Sequence, residues 1–167
     1  LKFMIFCLFV CNAVGNTQSF FGKAAEKINR VQIDRYIRIH TEPLKKPNIF
    51  PYAVALFVTL VNGDSYCDGS IIHPAYILLS AHCLDDLVEI EVFAGITNLN
   101  GPYAYQAIVS KIDTLQHQSY DRNTLHNDIG LVCLRQPIPR TPSMRPIALP
   151  SRHSNPRGLS LSIIGFG

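Results

Sequence analysis

Tryptophan is absent from this 167-residue chain, and charged side chains make up only 16% of it. So little charge cannot hold a chain open by self-repulsion, and 47% hydrophobic residues are ample for a buried core. Long apolar runs are missing too, since a helix needs about 20 such residues to cross a bilayer. The 10 glycines and 11 prolines follow no period, which excludes collagen-like and low-complexity architectures. A basic surface on the folded part is also lacking. Residues 1–38 hold six Lys/Arg against two acidic residues, whereas residues 39–167 hold nine against ten. Phosphate neutralisation needs a basic stripe on the body of the protein, so no nucleic-acid partner is expected.

What is present begins with Lys2, an apolar stretch from Phe3 to Val10, then Cys11, Asn12 and Ala13-Val14-Gly15. A basic residue, a short apolar core and a small-x-small site form the layout of a secretory signal. Residues 1–15 are therefore read as a signal peptide, and the mature protein as secreted, with no membrane association. The first residue is Leu rather than Met, so the reading frame is expected to begin upstream. Residues 16–38 carry Lys23, Lys27, Arg30, Arg35 and Arg38 without a sustained apolar face, and read as a leader or propeptide.

Loss of the signal takes Cys7 and Cys11 with it and leaves Cys67, Cys83 and Cys133. In an oxidising compartment two of the three should pair and one remain free. Cys67 and Cys83 can close a loop of 16 residues, and such a bridge stabilises by about 3 kcal/mol in the loop-entropy account. Cys133 lies in the apolar run Ile129 to Leu134 and reads as a core thiol.

After Pro43, Pro47 and Pro51 the pattern becomes that of strands. Tyr52 to Val61, closed by Asn62-Gly63-Asp64 and resumed at Ser65-Tyr66-Cys67, reads as a hairpin. Further strands are expected at Ile71-Ile72, Tyr76 to Ala81, Leu87 to Ala94, Gln106 to Leu115 and Asp128 to Leu134. Short strands with little helix indicate an antiparallel barrel or sandwich. Six prolines between Pro137 and Pro156 mark an extended linker, and Leu159 to Ile164 starts another strand.

Two segments carry chemistry. Ser80-Ala81-His82-Cys83 sets an imidazole at the end of a strand, and Asn127-Asp128-Ile129 sets a carboxylate at the start of an apolar one, 46 residues later. A carboxylate entering a core needs a partner. An imidazole would satisfy it and have its tautomer fixed in return, the arrangement a general-base histidine requires. His73, His117, His126 and His153 show no zinc spacing, and Asp85 to Glu91 forms no calcium loop, so neither metal nor cofactor is expected.

The surrounding segments, in order, resemble the chymotrypsin-like (trypsin-fold, S1) serine peptidases. Phe50-Pro51-Tyr52-Ala53-Val54 is similar to their first-strand entry, and Cys67-Asp68-Gly69-Ser70-Ile71-Ile72 to Cys-Gly-Gly-Ser-Leu-Ile. Leu79-Ser80-Ala81-His82-Cys83 resembles Thr-Ala-Ala-His-Cys, and Asn127-Asp128-Ile129-Gly130-Leu131 resembles Asn-Asp-Ile-Ala-Leu. Arg145 to Pro150 looks like the family linker, and Ile164-Gly165-Phe166-Gly167 like Thr-Gly-Trp-Gly.

The resemblance implies an all-β fold, the antiparallel six-stranded Greek-key barrel that is the first of two, with the second truncated. Its parts are a first barrel over 39–136, an inter-barrel linker over 137–158 and the first strand of the second barrel over 159–167. It implies that His82 is the base, Asp128 its orienting carboxylate, Cys67–Cys83 the bridge beside them and Arg38–Ile39 the activation cleavage site. Substrates would be proteins or peptides, and partners would include protein protease inhibitors. The nucleophile of this family sits in Gly-Asp-Ser-Gly-Gly, a segment that does not occur in these residues and is expected beyond Gly167. Ile39-His40-Thr41-Glu42 replaces the usual Ile-Val-Gly-Gly, and Asp68 and Phe166 replace Gly and Trp. An inactive homologue that binds through the same fold is the alternative.

Overall fold

Alternation in the sequence translates directly into a curled sheet. The computed structural model describes residues 38–39, 49–97, 102–150 and 162–166. The expected signal peptide, nearly all of the leader and part of the expected linker lie outside the described residues. In chain order the strands are β1 (Arg38–Ile39), β2 (Ala53–Leu60), β3 (Gly63–His73), β4 (Tyr76–Leu79), β5 (Leu87–Ala94), β6 (Tyr105–Ser110), β7 (Thr114–Gln116), β8 (Gly130–Cys133) and β9 (Ser162–Ile163). Two short 3-10 turns, Ala81–Leu84 and Lys111–Asp113, are the helical elements among the described residues.

Seven strands form one antiparallel sheet in the order β6-β5-β2-β3-β4-β8-β7. Its edges, β6 and β7, are consecutive in the chain and joined by the 3-10 turn Lys111–Asp113, so the sheet curls towards closure as a barrel. The expected single strand Gln106 to Leu115 is thus two strands. Thr114 Oγ1 donates to Lys111 O at 2.8 Å, and Arg135 Nε donates to Asp113 Oδ2 at 2.8 Å, which hold the turn that carries the chain from one edge to the other.

The inward residues of β2, Val54, Leu56 and Val58, are fully buried and meet Ile71, Ile77, Ile90, Val92 and Val132. This is the period-two pattern of a sheet with one face on a core. Cys133 belongs to that core as a free buried thiol. On the other side of the sheet Ile129 and Leu131 pack with Ile72, Leu78 and Leu115 in a smaller cluster.

The proline-rich segment is less free than an extended linker over its described part. Ile138 and Met144 are buried in the main core. Ile138 N donates to Pro74 O, Arg145 N to Pro51 O and Ile147 N to Ile71 O, at 2.8, 2.9 and 2.8 Å. Prolines remove donors, and these three remaining amides are satisfied by barrel carbonyls. The segment is a strap across one end of the barrel.

A second tether involves Asp68, whose Oδ1 accepts from Phe166 N–H at 3.1 Å across 98 residues of sequence. Gly165 permits the approach, because a Cβ there would lie 2.7 Å from Asp68 Oδ2. Burial pushes the Asp68 carboxyl above its usual value, against the lowering by the Phe166 amide. For an acid with a raised folded value, the folded state binds the proton more tightly than the unfolded state. Stability is then lost as pH rises from the unfolded value of 3.8 through the raised folded one. Asp68→Asn keeps an oxygen acceptor and removes the charge. Urea denaturation between pH 3.5 and 7 should show this variant flatter with pH than the parent and at least as stable at pH 7, whereas a less stable Asn variant would refute the desolvation account.

Candidate active site

His82 stands out because its neighbours do not. In the turn Ala81–Leu84 the side chains of Ala81, Cys83 and Leu84 are buried and plug the turn into the barrel, while 51% of the His82 side chain remains exposed. The expected strand from Tyr76 to Ala81 stops at Leu79, since the chain must leave the sheet to make this turn. Cys83 is bridged to Cys67 on β3, with their Cα atoms 6.4 Å apart. Gln116 Nε2 donates to Ala81 O at 2.9 Å. Gly130, the first residue of β8, leaves room below the turn, for a Cβ there would meet Leu84 Cδ1 at 2.8 Å and Leu115 O at 3.1 Å.

Asp128 is aimed by a kink in the chain before β8. Asn127 adopts φ 56°, a left-handed conformation that asparagine tolerates better than most residues. Its Nδ2 donates to Ser119 O at 2.8 Å, and Ile129 N donates to Asn127 O at 2.7 Å. The carboxylate then meets His82 twice, with Oδ1 accepting from the backbone N–H at 2.8 Å and Oδ2 lying 2.8 Å from Nδ1. Asp128 is only 21% exposed. An ionised carboxylate can only accept, so Nδ1 carries a proton, and in the neutral imidazole Nε2 is then the nitrogen with the lone pair. The arrangement leaves an oriented, solvent-accessible imidazole nitrogen able to take a proton.

Around the pair lies a polar network that the sequence did not suggest. Asp85, just after the turn, accepts at Oδ1 from Gln116 Nε2 at 2.9 Å and at Oδ2 from Tyr120 OH at 3.0 Å. Arg122 Nε lies 3.4 Å from Asp85 Oδ2, and its NH2 group is 2.6 Å from Asp86 Oδ2. Hydrogen bonding and charge from Arg122 hold the Asp86 carboxyl below its usual range. Burial and the bond to Asp85 push the Tyr120 phenol up to about 12, so it stays a donor. These contacts tie the turn bearing His82 to the loop that ends in Asp128. They join residues 31 to 37 positions apart, and no local signal could have revealed them.

A cavity of about 290 Å³ opens beside the pair, lined by Ser70, Ser80, Asp128, Ile129, Gly165 and Phe166 among others. Ser70 lies on β3 and reaches this cavity, but no contact places it on His82. Cys67, His82 and Cys83 bring ligand-type atoms within 4.8 Å of one another. Both sulfurs are consumed in the disulfide, leaving one imidazole, which is not a metal site. Arg38 and Ile39 form β1, which pairs in parallel with Ser162 and Ile163 of β9.

An antiparallel barrel that presents a His–Asp pair next to a disulfide defines the trypsin-like class of folds. Residues 41–167 match the family model described as Trypsin. Brachyurin of Leptuca pugilator is 34% identical over 63% of this chain and 45% of its own length. Chymotrypsin of Phaedon cochleariae is 28% identical over 85% of this chain and 52% of its own. Among solved structures, an HL collagenase superposes with a TM-score of 0.60 at 27% identity, covering 68% of this chain and 48% of that one. The chain belongs to the trypsin family. It spans about half the length of the relatives it matches.

Tyr120→Phe removes one of the hydrogen bonds to the Asp85 carboxylate and keeps the ring. It should cost roughly 1.5–3 kcal/mol, as bonds to charged groups do, measured by urea denaturation against the parent. A change below about 0.3 kcal/mol would show that Gln116 and Arg122 hold the turn without it.

Proposed function

We propose that this chain is the first-barrel portion of a secreted serine endopeptidase, in which His82 acts as general base and Asp128 orients it. The single observation that carries the reading is the double contact of Asp128 with His82, one bond to the backbone amide and one to Nδ1, both at 2.8 Å. Residues 1–15 serve as signal peptide and 16–38 as leader. The first barrel runs from 39 to 136, the linker from 137 to 158, and 159–167 begin the second barrel. Membership of the trypsin family and the His–Asp geometry support this organisation. Among the described residues no helix is long and apolar enough to cross a membrane.

In the proposed reaction, His82 Nε2 takes the proton from a serine hydroxyl as that oxygen attacks the substrate carbonyl. The imidazolium formed is stabilised by Asp128, and the same proton is then given to the leaving amine. The serine belongs to the part of the protein corresponding to the other half of its relatives. Protein and peptide substrates, and protein inhibitors that mimic them, are the partners this chemistry fits. Cleavage at Arg38–Ile39 would release the leader. The replacement of two family glycines by Thr41 and Glu42 favours the second reading, an inactive homologue that binds partners.

The test uses the full reading frame cut after Arg38 and a panel of peptide substrates. His82→Ala should lower kcat/KM by about 10⁴-fold or more, and Asp128→Asn by about 10⁴. Activity unchanged in His82→Ala would remove His82 as the base, and absence of activity in the parent would favour the binding homologue.

A further inference from the structure

The outward face of β3, β2, β5 and β6 is a grid whose rows are fixed by register. One row runs Asp64, Thr59, Glu89, Ser110; the next Tyr66, Phe57, Glu91, Ile108; the third Asp68, Ala55, Phe93, Gln106. The alternate rows point into the core, so these three share the outer face. The third is partly covered where Ala55 is buried and Asp68 accepts from Phe166, and Glu91 accepts from Gln106 at 3.0 Å. Four of the residues are acidic, three are aromatic, and the four strands contain no Lys or Arg. Tyr66 and Ile108 are 62% and 64% exposed. Phe57 and Tyr66 stand edge to face at 5.1 Å beside Glu91, an aromatic surface with a carboxylate at its rim.

We infer that this face is the docking surface of the leader, residues 16–37 of the same chain. Three observations converge. The leader segment is cationic, with Lys23, Lys27, Arg30 and Arg35 against Glu26 and Asp34, and it adds Phe20, Phe21 and Tyr36. Its charge complements the grid, and a Lys or Arg over Tyr66 or Phe57 would gain from both the ring face and Glu91. Its C-terminal end is already beside the grid. Arg38 and Ile39 pair with Ser162 and Ile163, and Phe166, three residues on, donates to Asp68 at the grid's corner. Length is sufficient, since 22 residues reach roughly 70 Å when extended, against about 15 Å across four strands. A second copy of the barrel would bring like charge to the same face and is disfavoured.

The consequence is that the leader stays with the barrel by electrostatic and aromatic contact, not only by its peptide bond. This inference takes the leader from the organisation proposed above but requires no catalysis, so it stands or falls separately from the peptidase reading.

The test follows cleavage after Lys23 and Lys27 by a lysine-specific endoproteinase at low ionic strength. The full chain is compared with a synthetic peptide of residues 16–37. Docking predicts cleavage at least five-fold slower in the chain, at a rate independent of protein concentration. The protection should be lost in Glu89→Gln/Glu91→Gln, whose changes lie on the solvent face, with circular dichroism confirming the fold. It should also weaken in about 0.5 M salt, where screening shortens to a few ångströms. Equal rates in chain and peptide, protection that survives the double variant, or protection that grows with protein concentration would each overturn the inference.

Discussion

Asp128 accepts two hydrogen bonds from one residue, and the local architecture is arranged around that. A carboxylate that bonds both the backbone amide and the ring of His82 fixes the turn and the imidazole together. Either bond alone would leave one degree of freedom, since the backbone contact does not orient the ring and the ring contact does not position the turn. Several features elsewhere serve this contact. Asn127 is bent into a left-handed conformation to aim the carboxylate, the Cys67–Cys83 bridge holds the turn to β3, and Gly130 lets it settle onto β8.

The barrel supplies what the pair cannot supply for itself, a fixed separation between two loops. β4 leads into the turn with His82 and β8 follows Asp128, and these strands are hydrogen-bonded neighbours, Leu79 opposite Gly130. Strand pairing therefore brings together residues 46 positions apart and sets them within hydrogen-bond reach. The network of Asp85, Gln116, Tyr120 and Arg122 then braces the loops from the outer side. Such sites, carried by loops on a rigid sheet, keep geometry without burying the imidazole.

Much of this was legible in the sequence because strand alternation and family segments are local signals. The alternation in Leu87 to Ala94 gives the core positions Ile90 and Val92 but not Val88, which is half exposed, and the all-β barrel follows from the strand pattern and the resemblance. His82 and Asp128 stand in recognisable segments only four or five residues long. What escaped was non-local. Gln106 to Leu115 looks like one alternating strand, and the turn that breaks it is held in part by Arg135, twenty-two residues from Asp113. The strap from Pro137 to Pro150 reads as a spacer because proline density says nothing about which carbonyls its few amides will find. Tyr120 and Arg122 sit in a segment whose composition says only turn.

The position that departs most informatively from the family pattern is Asp68. A glycine there contributes backbone only, whereas a carboxylate must be satisfied once it is partly removed from water. The chain satisfies it with the Phe166 amide and makes room with Gly165. An aspartate here therefore makes the strand position a tether between the barrel and the segment that holds Phe166. Because Asp68 and Asp128 line the same cavity, the tether also adds a second carboxyl group to its lining. A group entering that cavity meets two carboxyl groups. Positive charge or a hydrogen-bond donor would be favoured there and a further carboxylate opposed.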